Sequence, residues 1–146
     1  MRELKSEIQI AAPIDQVWQV LTGFDHWKDW NPMVNSASGS ATLGSKVDII
    51  MRGPNGNDAM KYQAAVLEAN SPKSFRWRAT MMSGLIFTND RVFELREENG
   101  GTMLINKEEF SGLMMPLFWN KMSLFVVPML EEMNKALKNK LEDQQA

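Results

Sequence analysis

The chain has 146 residues, of which 44% are apolar and 23% charged, and its formal net charge is −2. This composition predicts one soluble globular domain over residues 1–146, and the small negative charge argues against nucleic acid or an anionic membrane as partner. The absence of cysteine excludes disulfides and thiolate chemistry. Residues 1–7 lack the apolar run of a signal peptide. No window approaches the ~20 apolar residues of a membrane span, so we expect a cytoplasmic protein.

The first third of the chain predicts one strand followed by two short helices. In residues 4–10, Ile8 and Ile10 alternate with polar side chains, which is the pattern of a half-buried strand. Pro13 stands where a helix would begin, and apolar residues then recur at a spacing of three or four up to Gly23. We therefore predict a helix over 13–22 and a second helical turn or two over 24–31.

From residue 33 onward, glycine, proline and asparagine divide the chain at short intervals, which is typical of an antiparallel meander. The predicted strands are 33–40, 46–52, 58–68, 74–82, 86–97 and 102–110. In the strand at 74–82, Phe75, Trp77 and Ala79 share one face, while Arg76 and Arg78 share the other. A sheet with one apolar face needs an apolar cover on that face.

A long C-terminal helix is predicted to supply that cover. The last strand ends at Gly112, and Pro116 opens a helix that we expect to continue to about residue 142. Its apolar face includes Trp119, Met122, Phe125, Val126, Met129, Met133, Leu137 and Leu141. Pro128 falls inside the helix and removes one backbone hydrogen bond, which predicts a kink.

Several segments, in this order and spacing, resemble a known superfamily. These segments are 10–18 (IAAPIDQVW), 27–32 (WKDWNP), 71–77 (SPKSFRW) and 108–113 (EEFSGL). Over nearly the whole chain they are similar to the SRPBCC, or START-like, superfamily and its polyketide cyclase/dehydrase and lipid-transport group. The resemblance implies an α+β helix-grip fold, in which a curved antiparallel sheet of about seven strands wraps around the long helix. It also implies two short helices after strand 1 and a deep cavity for apolar or amphipathic small molecules.

Our candidate ligand-binding residues lie on the apolar face of the sheet or on the C-terminal helix. They are Trp77, Arg91, Phe93, Glu108, Phe110, Trp119, Met122, Phe125 and Met129. For each aromatic residue the alternative is ordinary core packing. The chain also has 12 methionines, and such adaptable side chains suit a pocket that accepts varied apolar ligands.

Charged side chains give the predicted cavity its polar anchors. Arg91 shares the face of Phe93, so it is the best candidate for binding a ligand carboxylate or phosphate. Glu108 shares the face of Phe110 and would serve as a polar anchor or general acid; alternatively, it forms an ion pair with Arg91 or Arg78. Asp90, Arg78 and Tyr62 are further candidate anchors.

The predicted function is binding of a hydrophobic or amphipathic small molecule, of lipid, polyketide or aromatic type, between the sheet and the C-terminal helix. One alternative is a cyclase/dehydrase-type enzyme that uses Glu108, Asp90 or Tyr62 as an acid–base group. Another is a protein-interaction module of the co-chaperone kind, which predicts a collapsed cavity and an exposed apolar patch. The sequence suggests no such patch. We expect no cofactor and no metal site, because His26 is the only histidine and cysteine is absent. The oligomeric state and any catalytic residue remain open.

Overall fold

The computed structural model describes residues 2–81, 87–113 and 115–145. The strands are β1 (Arg2–Ile10), β2 (Val34–Ser38), β3 (Lys46–Arg52), β4 (Asp58–Asn70), β5 (Ser74–Met81), β6 (Phe87–Glu98) and β7 (Gly101–Ser111). The helices are α1 (Ile14–Thr22), a 3₁₀ helix (Phe24–Asp29) and α2 (Met115–Gln145). The predicted end of the strand at 74–82 and the predicted start of the strand at 86–97 lie outside the described residues. So do Met82, Gly84 and Met114.

The seven strands form one antiparallel sheet in the order β1-β7-β6-β5-β4-β3-β2. The segment holding α1 and the 3₁₀ helix connects the two edge strands, β1 and β2. The register shifts within three neighbouring strand pairs, β2–β3, β3–β4 and β4–β5. Such bulges bend and twist strands, which helps to curl the sheet into a half-barrel around α2. The predicted helix-grip fold of about seven strands is therefore confirmed.

Helix α2 has 31 residues, which corresponds to a length of about 46 Å. It begins one residue before the predicted Pro116 and continues through Pro128 as a single helix. Its second half is firmly packed, with Met133, Leu137 and Leu141 almost completely buried. The kink that we expect at Pro128 stays a prediction.

The packed half of the concave face is filled by aromatic rings. Phe24 and Trp27, from the 3₁₀ helix, lie 5.5 and 5.7 Å from the ring of Trp77 on β5. The rings of Phe75 and Phe93 stack at 4.8 Å across β5 and β6. The indole nitrogen of Trp27 donates a hydrogen bond of 2.9 Å to the carbonyl of Leu21, so the one polar atom of this buried side chain is paired.

The convex face of the sheet carries an ion-pair network. Arg76 pairs with Asp90 at 2.9 Å and with Glu109 at 3.1 Å, and Arg78 pairs with Asp90 at 2.7 Å. Burial alone would raise the pKa of the Asp90 carboxyl, but the hydrogen bonds from Arg78 and Arg76 outweigh it and hold that pKa below its ordinary value. The expectation that Asp90 and Arg78 are cavity anchors is therefore wrong, because the register turns them away from the concave face.

Candidate functional site

A cavity of about 280 Å³ lies between the concave face of the sheet and the first half of α2. Most of its lining is apolar, with a small group of polar side chains. The lining residues are Met51, Met60, Tyr62, Ala79, Asn89, Arg91, Glu108, Phe110, Met122, Val126 and Met129. They come from strands β3 to β7 and from α2, so the cavity is built by the sheet–helix pairing itself.

The position of the cavity follows from the side-chain sizes along β5. The inward-facing residues of this strand are Phe75, Trp77 and Ala79, in that order. The first two are large rings that fill the space under α1 and the 3₁₀ helix. At Ala79 the series drops to a single methyl group, which leaves room between the sheet and Val126 on α2. The cavity therefore begins where the aromatic core ends.

Arg91 and Glu108 form an ion pair inside the cavity. They lie opposite each other on β6 and β7, and the Nη2 of Arg91 is 2.9 Å from the Oε1 of Glu108. The Nε of Arg91 donates to the same oxygen at 3.0 Å, and its Nη1 approaches the Sδ of Met133 at 3.6 Å. The guanidinium also lies 5.5 Å from the ring centre of Phe93. Each of the two charged side chains is only 12% exposed, so the predicted cross-strand pair is present and largely shielded from water.

Two neutral polar side chains lie beside this pair. Burial raises the pKa of the Tyr62 phenol to about 12; the charge of Arg91 opposes this rise and that of Glu108 adds to it. Tyr62 is therefore a protonated hydrogen-bond donor at neutral pH. The Nδ2 of Asn89 is buried and has no hydrogen-bond acceptor within the described residues. The cavity consequently has two uncharged donors next to a charge pair.

The structure distributes the nine candidate residues over four locations. Arg91, Glu108, Phe110, Met122 and Met129 line the cavity.

Trp77 and Phe93 belong to the aromatic core, with 2% and 0% exposure. Trp119 packs edge-on against Phe110 at 6.2 Å, and the guanidinium of Arg2 lies 5.1 Å from its ring. Phe125 is 66% exposed, so its placement on the face of α2 that packs toward the sheet is wrong. Successive helix residues are turned by about 100°, which carries Phe125 away from the direction of its neighbour Val126.

Five lining residues were absent from the predicted anchors and site: Met51, Met60, Ala79, Asn89 and Val126. Ala79 was on the predicted apolar face of its strand. Val126 was on the predicted apolar face of α2, so the helix periodicity already indicated it. Asn89 faces inward because it lies two residues from Arg91 on the same strand. Met51 and Met60 flank the turn between β3 and β4, and only the pairing of these strands brings them to the cavity.

Several large apolar side chains are exposed near the start of α2. Leu113, Leu117, Leu124 and Phe125 are 66 to 77% exposed. Leu117 and Leu124 are seven residues apart, so they lie on one side of the helix. The expectation that no apolar residues cluster outside the core is therefore wrong for this part of the surface.

A second concavity, of about 320 Å³, lies beside α1 and the 3₁₀ helix. Its walls include His26, Asp29 and Lys140, and the side chain of His26 is 81% exposed. Small-molecule sites are mostly apolar with few polar groups, so the cavity under α2 fits a ligand site better. Within residues 2–81, 87–113 and 115–145, no group of three or more histidine, cysteine or acidic side chains is placed to hold a metal ion. No helix in this described part has the length and apolar character needed to cross a bilayer.

Comparison with known proteins places this architecture in the START-like class of helix-grip proteins. The family described as polyketide cyclase / dehydrase and lipid transport matches residues 1–142, and the chain belongs to this family. No protein among those with curated descriptions matches the chain.

Solved structures with the same fold have low sequence identity to this chain. A START superfamily protein from Mycobacterium smegmatis has a TM-score of 0.77 at 15% identity, with 97% of this chain and 98% of that chain covered. A protein from Nitrosomonas europaea has a TM-score of 0.77 at 18% identity, covering 98% and 96%. The di-domain ARO/CYC protein StfQ from the steffimycin biosynthetic pathway has a TM-score of 0.79 at 10% identity. The match covers 98% of this chain but 52% of StfQ, so the chain spans about half the length of that protein. At these identities the likeness is one of fold.

Proposed function

We propose that the protein binds a hydrophobic or amphipathic small molecule, of lipid, polyketide or aromatic type, in the cavity between the sheet and α2. The observation that carries this proposal is the cavity of about 280 Å³, with an apolar lining and one polar group of side chains. Membership of the polyketide cyclase / dehydrase and lipid transport family supports it. Burial of apolar ligand surface would supply about 25 cal/mol per Å² before ordering costs, and the polar group would set the orientation.

Further expectations from the sequence belong to the same proposal. The chain acts as one ligand-binding domain over residues 1–146, in the cytoplasm, with a small molecule rather than nucleic acid as its partner. The net charge of −2 supports the last point.

Native mass spectrometry of the protein purified from its own host tests the proposal. We expect one or a few small apolar compounds to co-purify and to leave the protein as neutral losses. A Val126→Phe variant, which places a ring in the cavity, should carry less of the same compounds. The proposal would be contradicted by wild-type protein that carries no small molecule after purification and takes up nothing from a total lipid and aromatic extract of the host.

A cyclase/dehydrase-type enzyme is the second candidate, because Glu108 and Tyr62 lie in the same cavity as the proposed ligand. Glu108 would then exchange a proton with the bound substrate. The measurement is conversion of the co-purified compound, or of a poly-β-ketone, by wild type and by Glu108→Gln. Turnover that Glu108→Gln abolishes supports the enzyme, whereas binding without conversion supports a carrier. The exposed leucines of α2 favour an interaction module, but that alternative also requires a collapsed cavity, and the cavity here is open.

A further inference from the structure

The cavity has one polar end, and its four polar side chains differ in what they can offer a ligand. These side chains are Tyr62, Asn89, Arg91 and Glu108. Arg91 is the one cation among the described lining residues, and on its own it would attract an anionic ligand. Its immediate neighbours determine whether that attraction survives.

The charge of Arg91 is already compensated by Glu108. Two of its nitrogens lie 2.9 and 3.0 Å from one carboxylate oxygen, and a third nitrogen approaches the sulfur of Met133. A ligand carboxylate placed here would be attracted by the guanidinium and repelled by Glu108 at a comparable distance, so the two effects largely cancel. The ligand carboxylate would still lose its hydration on entering the cavity, with no net positive charge there to offset that loss.

The donors that remain for a ligand are uncharged. The buried Nδ2 of Asn89 has no acceptor within the described residues, and leaving such a donor unpaired is unfavourable. The phenol of Tyr62 is protonated at neutral pH, as an ordinary tyrosine is, and burial raises its pKa further, to about 12. A neutral carbonyl oxygen accepts hydrogen bonds from donors of this kind and loses far less hydration than a carboxylate does.

We propose that the cavity selects uncharged ligands that carry a hydrogen-bond acceptor, and that Glu108 is the residue that excludes carboxylates. This inference rests on the proposed function and specifies its ligand class. It reverses the sequence-based expectation that Arg91 binds a ligand carboxylate or phosphate. Tyr62 and Asn89 would bind the acceptor oxygen, and Arg91 and Glu108 would act as a neutral pair.

The test compares two probes that share the same octyl chain, methyl octyl ketone and nonanoate, by calorimetry at neutral pH. Wild type should bind the ketone at least about tenfold more tightly than nonanoate. In Glu108→Gln the charge of Arg91 is no longer compensated. Nonanoate affinity should then rise by about tenfold to a hundredfold, the range expected for a new charge-assisted hydrogen bond, with a much smaller change for the ketone.

Glu109→Gln is the matched control, because Glu109 is the next residue on β7 and pairs with Arg76 on the convex face. It should leave both affinities unchanged. Tyr62→Phe keeps the ring and removes one donor, so ketone affinity should fall by about threefold to tenfold. This second variant keeps the inference testable if Glu108→Gln does not fold.

The outcomes separate the two proposals. Wild type that binds neither probe overturns the inference, whereas the proposed function fails only if the protein also takes up nothing from the host extract. Wild type that binds nonanoate as tightly as the ketone overturns the inference alone, and so does a folded Glu108→Gln variant with no gain in nonanoate affinity. Equal effects of the Glu108 and Glu109 variants would also overturn it, because the charge would then act from either face of the sheet.

Discussion

The substitution Val126→Phe gives opposite stability changes according to whether the space under α2 is empty or packed. Val126 on α2 and Ala79 on β5 both line the cavity. Phenylalanine adds roughly four carbons; if each takes about the space of a water molecule, ~30 Å³, the ring needs ~120 Å³. The cavity offers about 280 Å³, so the ring fits without displacing its neighbours.

Four added carbons correspond to at most about 3 kcal/mol of burial, at ~0.8 kcal/mol for each. Loss of side-chain freedom and incomplete burial reduce this, so we expect the free energy of unfolding to rise by about 1–2 kcal/mol. The matched control is Val47→Phe, since Val47 is 0% exposed within the packed core. There the same substitution should lower stability by about 1–3 kcal/mol through overpacking.

Urea unfolding of the ligand-free proteins measures both changes, and calorimetry with methyl octyl ketone measures binding. Val126→Phe should weaken ketone binding more than about tenfold, because the added ring takes nearly half of the cavity volume. If Val126→Phe destabilises the protein as much as Val47→Phe does, the space is already filled and the reasoning is refuted.

Three further predictions concern single side chains. Tyr62 is the only tyrosine of the chain, so an ultraviolet absorbance titration of the folded protein should show its ionisation near pH 12, and ionisation at an ordinary tyrosine pH would contradict its burial beside Glu108. Asp90→Asn should lower the free energy of unfolding at pH 7 by about 1–2 kcal/mol, a value kept small because Arg78 is 48% exposed. The lowered pKa of folded Asp90 means that this contribution is present above the unfolded value of ~3.9 and is lost as pH falls through the folded value. Urea unfolding should therefore show that the difference in free energy of unfolding between wild type and Asp90→Asn is smaller in acid than at pH 7. A difference that does not change with pH would count against the ion pairs. We propose that motion of α2 at Pro128 opens the cavity to ligand. Pro128→Ala restores one helical hydrogen bond and should then slow ligand association and dissociation in stopped-flow measurements, whereas unchanged rates would rule out this role of Pro128.

Periodicity was sufficient to predict the elements of this fold. Alternation along β5 separated Phe75 and Trp77 from Arg76, and the spacing from Met122 to Leu141 defined the inner face of α2. These patterns depend on local backbone geometry, which the sequence expresses directly. The same alternation placed Glu108 and Glu109 on opposite faces, as the register of β6 and β7 confirms.

The interior of the site was harder to predict, because it depends on how the elements stack. Trp77 and Ala79 face the same way, but only the position of the 3₁₀ helix determines that Trp77 fills core and Ala79 opens space. Asp90 and Arg91 are neighbours in sequence, and the strand pairing decides which of them enters the cavity. Phe125 lies at the margin of an apolar stripe, where a small rotation of the helix turns a side chain to solvent.

The methionine methyl groups offer the most direct test of the cavity as a ligand site. Met51, Met60, Met122 and Met129 line it, while Met103 pairs with Arg96 on the convex face. In a titration of methyl-labelled protein with methyl octyl ketone, followed by nuclear magnetic resonance, the four lining methyl signals should shift together and saturate. The signal of Met103 should stay in place. Lining signals that do not move, or shifts of the same size at Met103, would contradict the account.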